Sequence, residues 1–124
     1  MRKIKVLLVE DDPDISESLQ ITLRLKNFDV VALASGKGAF EFVLENNPDL
    51  VIMDVMMPPP DGYAVCRRLK ADAATRRVPV ILLSARTQQA EVEEGFQSGA
   101  DRYLTKPFQN EDLLKTVDGL VNRP

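Results

Sequence analysis

Short runs rich in Val, Ile and Leu recur along the chain at residues 4–9, 28–33, 50–53, 78–83 and 103–105, each bounded by turn-forming residues. Between and after them, apolar residues fall at helical spacing: Ile15, Leu19 and Leu23; Phe40, Val43 and Leu44; Val65 and Leu69; Val92 and Phe96; then Leu113, Leu114, Val117, Leu120 and Val121. The pattern predicts a strand followed by a helix, five times over. Several strand runs are apolar on consecutive positions, which is how a strand reads when helices cover both of its faces. The expected architecture is an α/β domain with a parallel sheet.

Local signals set the boundaries. Asp12-Pro13 offers an N-cap with proline at the first helical position, and Asp14 and Glu17 put negative charge near that helix's positive end, so the first helix starts at Pro13. Asn46-Asn47-Pro48 ends the second helix, Gly99 follows the fourth at a C′ position, and Asn110 with Glu111 and Asp112 opens the fifth. Pro58-Pro59-Pro60 is the one break in composition and reads as a stiff loop. The fourth helix carries Gly95 mid-helix and clusters Glu91, Glu93 and Glu94, the make-up of a locally marginal element.

With 124 residues, 44% of them hydrophobic and 28% charged, the chain suits one globular domain over 1–124. A domain of this size needs neither disulfides nor a structural metal to fold. Cys66 is the only cysteine and there is no histidine, which excludes zinc fingers, Cys/His proteases and Ser-His-Asp hydrolases. No stretch approaches the roughly 20 apolar residues of a membrane span. The run after Arg2, Lys3 and Lys5 stops at Glu10-Asp11-Asp12, too soon for a signal peptide. The expectation is a soluble cytoplasmic protein without a membrane partner. Sixteen basic against nineteen acidic residues give a net charge of −3, and no aromatic-basic interleaving marks a nucleic-acid surface, so no direct nucleic-acid partner is expected.

In an open α/β sheet the ligand crevice lies at the carboxyl ends of the strands. The first strand ends in Glu10-Asp11-Asp12, the third in Asp54, the fourth in Ser84 and the fifth in Lys106-Pro107. Taken singly, each has a plain explanation: Asp12 is the helix cap, Asp54 a turn residue, Lys106 a surface charge. Their convergence on one edge does not read as core. Two carboxylates about 4 Å apart repel by roughly 4 kcal/mol at an effective dielectric near 20. Lys106 can offset one charge, and a hard divalent cation such as Mg²⁺ can offset two more while leaving room for a phosphate.

Four segments carry a family resemblance: Val6 through Asp12; Leu50 through Pro58, read LVIMDVMMP; Val78 through Ala85, read VPVILLSA; and Gly99 through Phe108, read GADRYLTKPF. In this order and spacing they resemble the receiver domain of two-component response regulators, single-domain and chemotaxis-regulator-like, over essentially the whole chain. The resemblance implies a flavodoxin-like (βα)5 three-layer sandwich with strand order 2-1-3-4-5. It implies that Asp54 accepts a phosphoryl group from a histidine kinase or histidine phosphotransfer protein. Glu10, Asp11, Asp54 and the backbone carbonyl of Met56 would hold Mg²⁺, and Ser84 and Lys106 would meet the phosphoryl oxygens. Ser84 and Tyr103 would be the switch pair, and Lys106-Pro107 a cis peptide. Through them phosphorylation would reshape a face made by the fourth helix, fifth strand and fifth helix, where a downstream protein binds. The protein would be a phospho-acceptor and not an enzyme, beyond self-phosphorylation from small phosphodonors and slow autodephosphorylation.

Several positions depart from the family's habit. Pro59-Pro60 replaces a more flexible pair, Ser84 stands for the commoner Thr, Arg102 replaces a frequent acid, and Lys115 stands where DNA-binding members place Arg on a dimer face, which implies a monomer or weak dimer. Met56 and Arg86 occupy positions that tune hydrolysis. The chain stops soon after its fifth helix, so signalling through a partner, or excision from a longer parent, is expected. An aspartate-nucleophile phosphatase would need a D-x-D-x-[TV] motif that Asp11-Asp12-Pro13 does not supply. A nucleotide carrier would need a glycine-rich loop, and Gly36-Lys37-Gly38 lacks that spacing. The competing function is a phosphate-independent protein-binding module on the same fold.

Overall fold

The computed structural model describes residues 3–85 and 97–121. Five strands, β1 (Lys5–Val9), β2 (Asp29–Leu33), β3 (Leu50–Asp54), β4 (Val80–Ser84) and β5 (Arg102–Thr105), form one parallel sheet in the order β2-β1-β3-β4-β5. The helices among the described residues are α1 (Pro13–Leu25), α2 (Ala39–Asn46), α3 (Gly62–Ala71) and α4 (Asn110–Leu120). The flavodoxin-like order and the parallel sheet are as expected. The expected helix through Val92 and Phe96, with Gly95, Glu91, Glu93 and Glu94, lies outside the described residues, as does Arg86. Helix α4 is the fifth helix of the sequence pattern.

Strand periodicity divides the core into two layers. Val6, Leu8, Leu50, Ile52, Ile81 and Leu83 face Leu19 and Leu23 of α1 and Leu113 and Val117 of α4. Leu7, Val9, Val51, Met53, Val80 and Leu82 face Val43 of α2 and Val65, Cys66 and Leu69 of α3. Residues i and i+2 of a strand share a face, and every residue of β3 and β4 is buried. That double coverage explains the unbroken apolar runs.

Boundary chemistry matches the local signals. Asp12 caps α1, its side chain accepting from the amides of Asp14 (2.9 Å) and Ile15 (3.2 Å). Asn47 ends α2 in the left-handed region at φ 52°, and Gly99 has φ +95°. Helix α4 begins at Asn110 with Gln109 as its cap, the Gln109 amide donating to Asp112 Oδ2 at 3.4 Å. Strand β4 starts at Val80, not Val78, because Pro79 has no N–H to give a ladder. Strands β3 and β4 each run one residue past their apolar stretch, ending on Asp54 and Ser84.

Candidate functional site

Ladder hydrogen bonds continue beyond the strand ends and fix the polar residues that follow. The Glu10 amide donates to the Leu33 carbonyl at 3.0 Å, Val55 to Leu83 at 2.9 Å, and Lys106 to Ser84 at 2.7 Å. Parallel register therefore carries Glu10, Asp54, Ser84 and Lys106 to one edge of the sheet. Carboxylate oxygens of Glu10, Asp11 and Asp54 lie within 4.8 Å of one another. Lys106 Nζ reaches Glu10 Oε1 at 3.2 Å and Asp54 Oδ1 at 3.4 Å.

Burial makes this cluster electrostatically expensive. Glu10 is 2% exposed and Asp54 6%, whereas Asp11 is open to solvent. Burial pushes the Glu10 carboxyl up to about 7, with the nearby Asp54 charge adding to the rise. The Asp12 amide, which donates to Glu10 Oε2 at 3.1 Å, and the Lys106 ammonium act the other way. Three carboxylates and one ammonium leave an excess of negative charge with hard oxygen donors converging, a donor set that fits Mg²⁺.

The loop after Asp54 folds back over it. The Met56 amide points at Asp54 Oδ1 from 3.4 Å, and Met56 is 53% exposed. Ser84 is completely buried at the end of β4. Tyr103, opposite Leu82 in the ladder, is half-buried against the α2 and α3 side of the core. The Lys106-Pro107 bond is cis, and so is Pro59-Pro60. Asp12 faces α1 as its cap and is not part of the three-carboxylate group.

Two features went unread in the sequence. Gly36 and Gly62 lie against the loop that follows Asp54; the N-cap signal Asp61-Gly62 was available but points only to a helix start. Lys70 and Asp101 pair at 2.8 Å where β4 and β5 begin, far along the chain from each other, and no local motif joins them.

A family model described as the response regulator receiver domain matches residues 6–118. The chain is 40% identical over 119 residues to the DNA-binding dual master transcriptional regulator RpaA of Synechocystis, covering 96% of this chain and 49% of that protein. It is equally 40% identical over 119 residues to the DNA-binding response regulator MtrA of Mycobacterium tuberculosis, covering 96% and 51%. The chain thus spans about half the length of the curated relatives it matches. Among solved structures, the receiver domain of the sensor histidine kinase PA1611 of Pseudomonas aeruginosa, with magnesium coordinated in its active-site cleft, superposes with a TM-score of 0.90 at 31% identity, covering 98% of this chain and 100% of that one. The Vibrio cholerae chemotaxis protein CheY4 gives 0.89 at 29% identity, covering 97% and 100%.

These relatives correct one expectation. The absence of a direct nucleic-acid partner, inferred from net charge and patterning, conflicts with relatives named as DNA-binding. The physical reason is one of scope: charge patterning over these 124 residues reports on this surface alone, and the named relatives are about twice as long. No helix among the described residues is long and apolar enough to cross a membrane.

Proposed function

The chain belongs to the response regulator receiver family, and from that premise we propose that it is a phosphorylation-dependent switch in which Asp54 accepts a phosphoryl group. The donor is the phosphohistidine of a histidine kinase or phosphotransfer protein, and this chain, with no histidine of its own, supplies only the acceptor. An Asp54 carboxylate oxygen attacks phosphorus in line, the P–N bond breaks, and the donor imidazole leaves. The Lys106 ammonium stabilises charge on the phosphoryl oxygens and holds Asp54 in place before the attack. Glu10, Asp11, Asp54 and the Met56 carbonyl would hold Mg²⁺, which when bound supplies further neutralisation of the transferring group. The observation that carries this reading is the convergence of three carboxylates and one lysine on the carboxyl edge of the sheet.

The product places roughly −1.5 to −2 charge and three acceptor oxygens where one negative charge stood. Ser84, buried at the end of the adjacent strand β4, is the hydroxyl residue we assign to answer it. Its inward movement would let Tyr103 settle deeper, altering the face around β5 and α4 that a downstream partner reads.

The test is intact mass after incubation with Mg²⁺ and acetyl phosphate. A single phosphoryl adduct on the wild type, absent from Asp54→Asn and from a chelator control, supports the reading. No adduct under any donor, including a histidine kinase, overturns it.

A further inference from the structure

The loop from Asp54 to α3 is closed on a single carbonyl: the amides of Met57 and Gly62 both donate to Val55 O at 3.1 Å. Two glycines press on this loop from opposite ends. A Cβ built on Gly62 would stand 2.5 Å from the Asp54 carbonyl oxygen, 2.8 Å from Val55 Cα and 3.1 Å from the Asp54 carbonyl carbon. All three are backbone atoms, so no rotamer change relieves the contact; the peptide of the acceptor itself must move. A Cβ on Gly36, in the turn between β2 and α2, would stand 2.5 Å from the Pro60 carbonyl oxygen, 2.9 Å from Val65 Cγ2 and 3.2 Å from Pro60 Cγ. Pro60 has a fixed φ, so a push there passes along the loop.

Neither glycine sits at a positive φ; among the described residues those glycines are Gly38 and Gly99. The requirement at 36 and 62 is for space against the loop, and both residues are buried. We propose that Gly36 and Gly62 are positioning residues for phosphoryl acceptance, bracing the 54–62 loop so that Asp54 and the Met56 carbonyl stay in reactive register. The proposal rests on Asp54 being the acceptor. It gives the β2–α2 turn, which contributes no ligand and no reacting atom, a part in setting the reaction's rate.

Gly38 supplies an internal control. Its φ is +79° but nothing lies within 4 Å of a Cβ built there. Gly38→Ala therefore strains the same turn without touching the acceptor loop. The experiment compares wild type, Gly36→Ala, Gly62→Ala and Gly38→Ala by the rate of adduct formation from acetyl phosphate, Mg²⁺ affinity by calorimetry, and thermal midpoint. All rates are taken well below each midpoint.

Gly36→Ala and Gly62→Ala are expected to form adduct roughly tenfold more slowly and to bind Mg²⁺ more weakly, since misplacement of reacting groups by a fraction of an ångström is costly. Gly38→Ala is expected to melt lower yet react at the wild-type rate. Wild-type rates and Mg²⁺ affinity in Gly36→Ala overturn the proposal, as does an equal loss of rate in Gly38→Ala. Gly36→Ala is the deciding variant, and its failure to fold would also overturn the proposal by making the glycine a folding requirement. No adduct on the wild type from acetyl phosphate or from a histidine kinase removes the functional reading and this inference together; a wild-type adduct with unaffected variants removes only the inference.

Discussion

Lys106 Nζ stands between Glu10 Oε1 at 3.2 Å and Asp54 Oδ1 at 3.4 Å, one ammonium shared by two buried carboxylates at the ends of different strands. Ninety-six positions separate Lys106 from Glu10 in the chain, and the parallel register of β1, β3, β4 and β5 closes that distance.

Removing the shared cation tests its part in the chemistry. Lys106→Met keeps most of the side chain's apolar length and deletes its charge. Adduct formation from acetyl phosphate is expected to slow on the order of 10²-fold, the usual cost of losing a charged donor aimed at a reacting oxygen. The time course of intact mass reads this directly, and a wild-type rate would remove Lys106 from the mechanism.

The raised Glu10 carboxyl predicts how stability depends on pH when cation is chelated. Its ordinary value of 4.5 describes the unfolded chain, and the folded chain holds the proton up to about 7. The folded state therefore binds more protons across that window, so this group's stabilisation is complete below about pH 4.5 and is lost as pH rises to 7. At about 1.4 kcal/mol per unit, the change is on the order of 3 kcal/mol. Urea titrations in chelator at a series of pH values should show stability falling over this window, with the fall absent in Glu10→Gln. Added Mg²⁺ should reverse the trend, because it binds the deprotonated carboxylate.

The strands and the four described helices were legible because burial on both sheet faces leaves continuous apolar runs, and capping residues such as Asp12 and Asn47 act within a turn of where they stand. Glu10, Asp54, Ser84 and Lys106 could be read as neighbours because a parallel sheet delivers all strand ends to one edge. The bracing by Gly36 and Gly62 could not, since a missing Cβ leaves no mark beyond the glycine and its neighbour is set by tertiary packing. The Lys70–Asp101 pair was hidden for the same reason: 31 positions separate its members, and each alone reads as a surface charge.

That pair predicts a stability effect away from the reactive edge. Lys70 Nζ donates to Asp101 Oδ2 (2.8 Å), Val78 O (2.9 Å) and Arg76 O (3.1 Å), while the Val80 amide donates to the same Asp101 oxygen at 2.8 Å. Asp101→Ala leaves the first amide of β4 without its acceptor and is expected to cost about 1–3 kcal/mol. Asp101→Asn, which keeps an acceptor oxygen, should cost less. Chemical denaturation of the two variants ranks them, and an equal loss would mean the charge, not the acceptor, matters.

Asp12 separates capping from chemistry within one acidic run. Its side chain takes the amides of Asp14 and Ile15, while its own amide donates to Glu10 Oε2. Asp12→Ala removes the cap but keeps that amide, so α1 should weaken by about 1 kcal/mol while Mg²⁺ affinity and the rate of adduct formation hold near wild type. Asp11→Ala should do the reverse, since Asp11 is exposed and stands among the three carboxylates: little change in melting, and a clear loss of Mg²⁺ binding. Calorimetric Mg²⁺ titration beside thermal melts of both variants reads the contrast. If Asp12→Ala lost Mg²⁺ binding as fully as Asp11→Ala, the division of Glu10-Asp11-Asp12 into two ligands and one cap would be wrong.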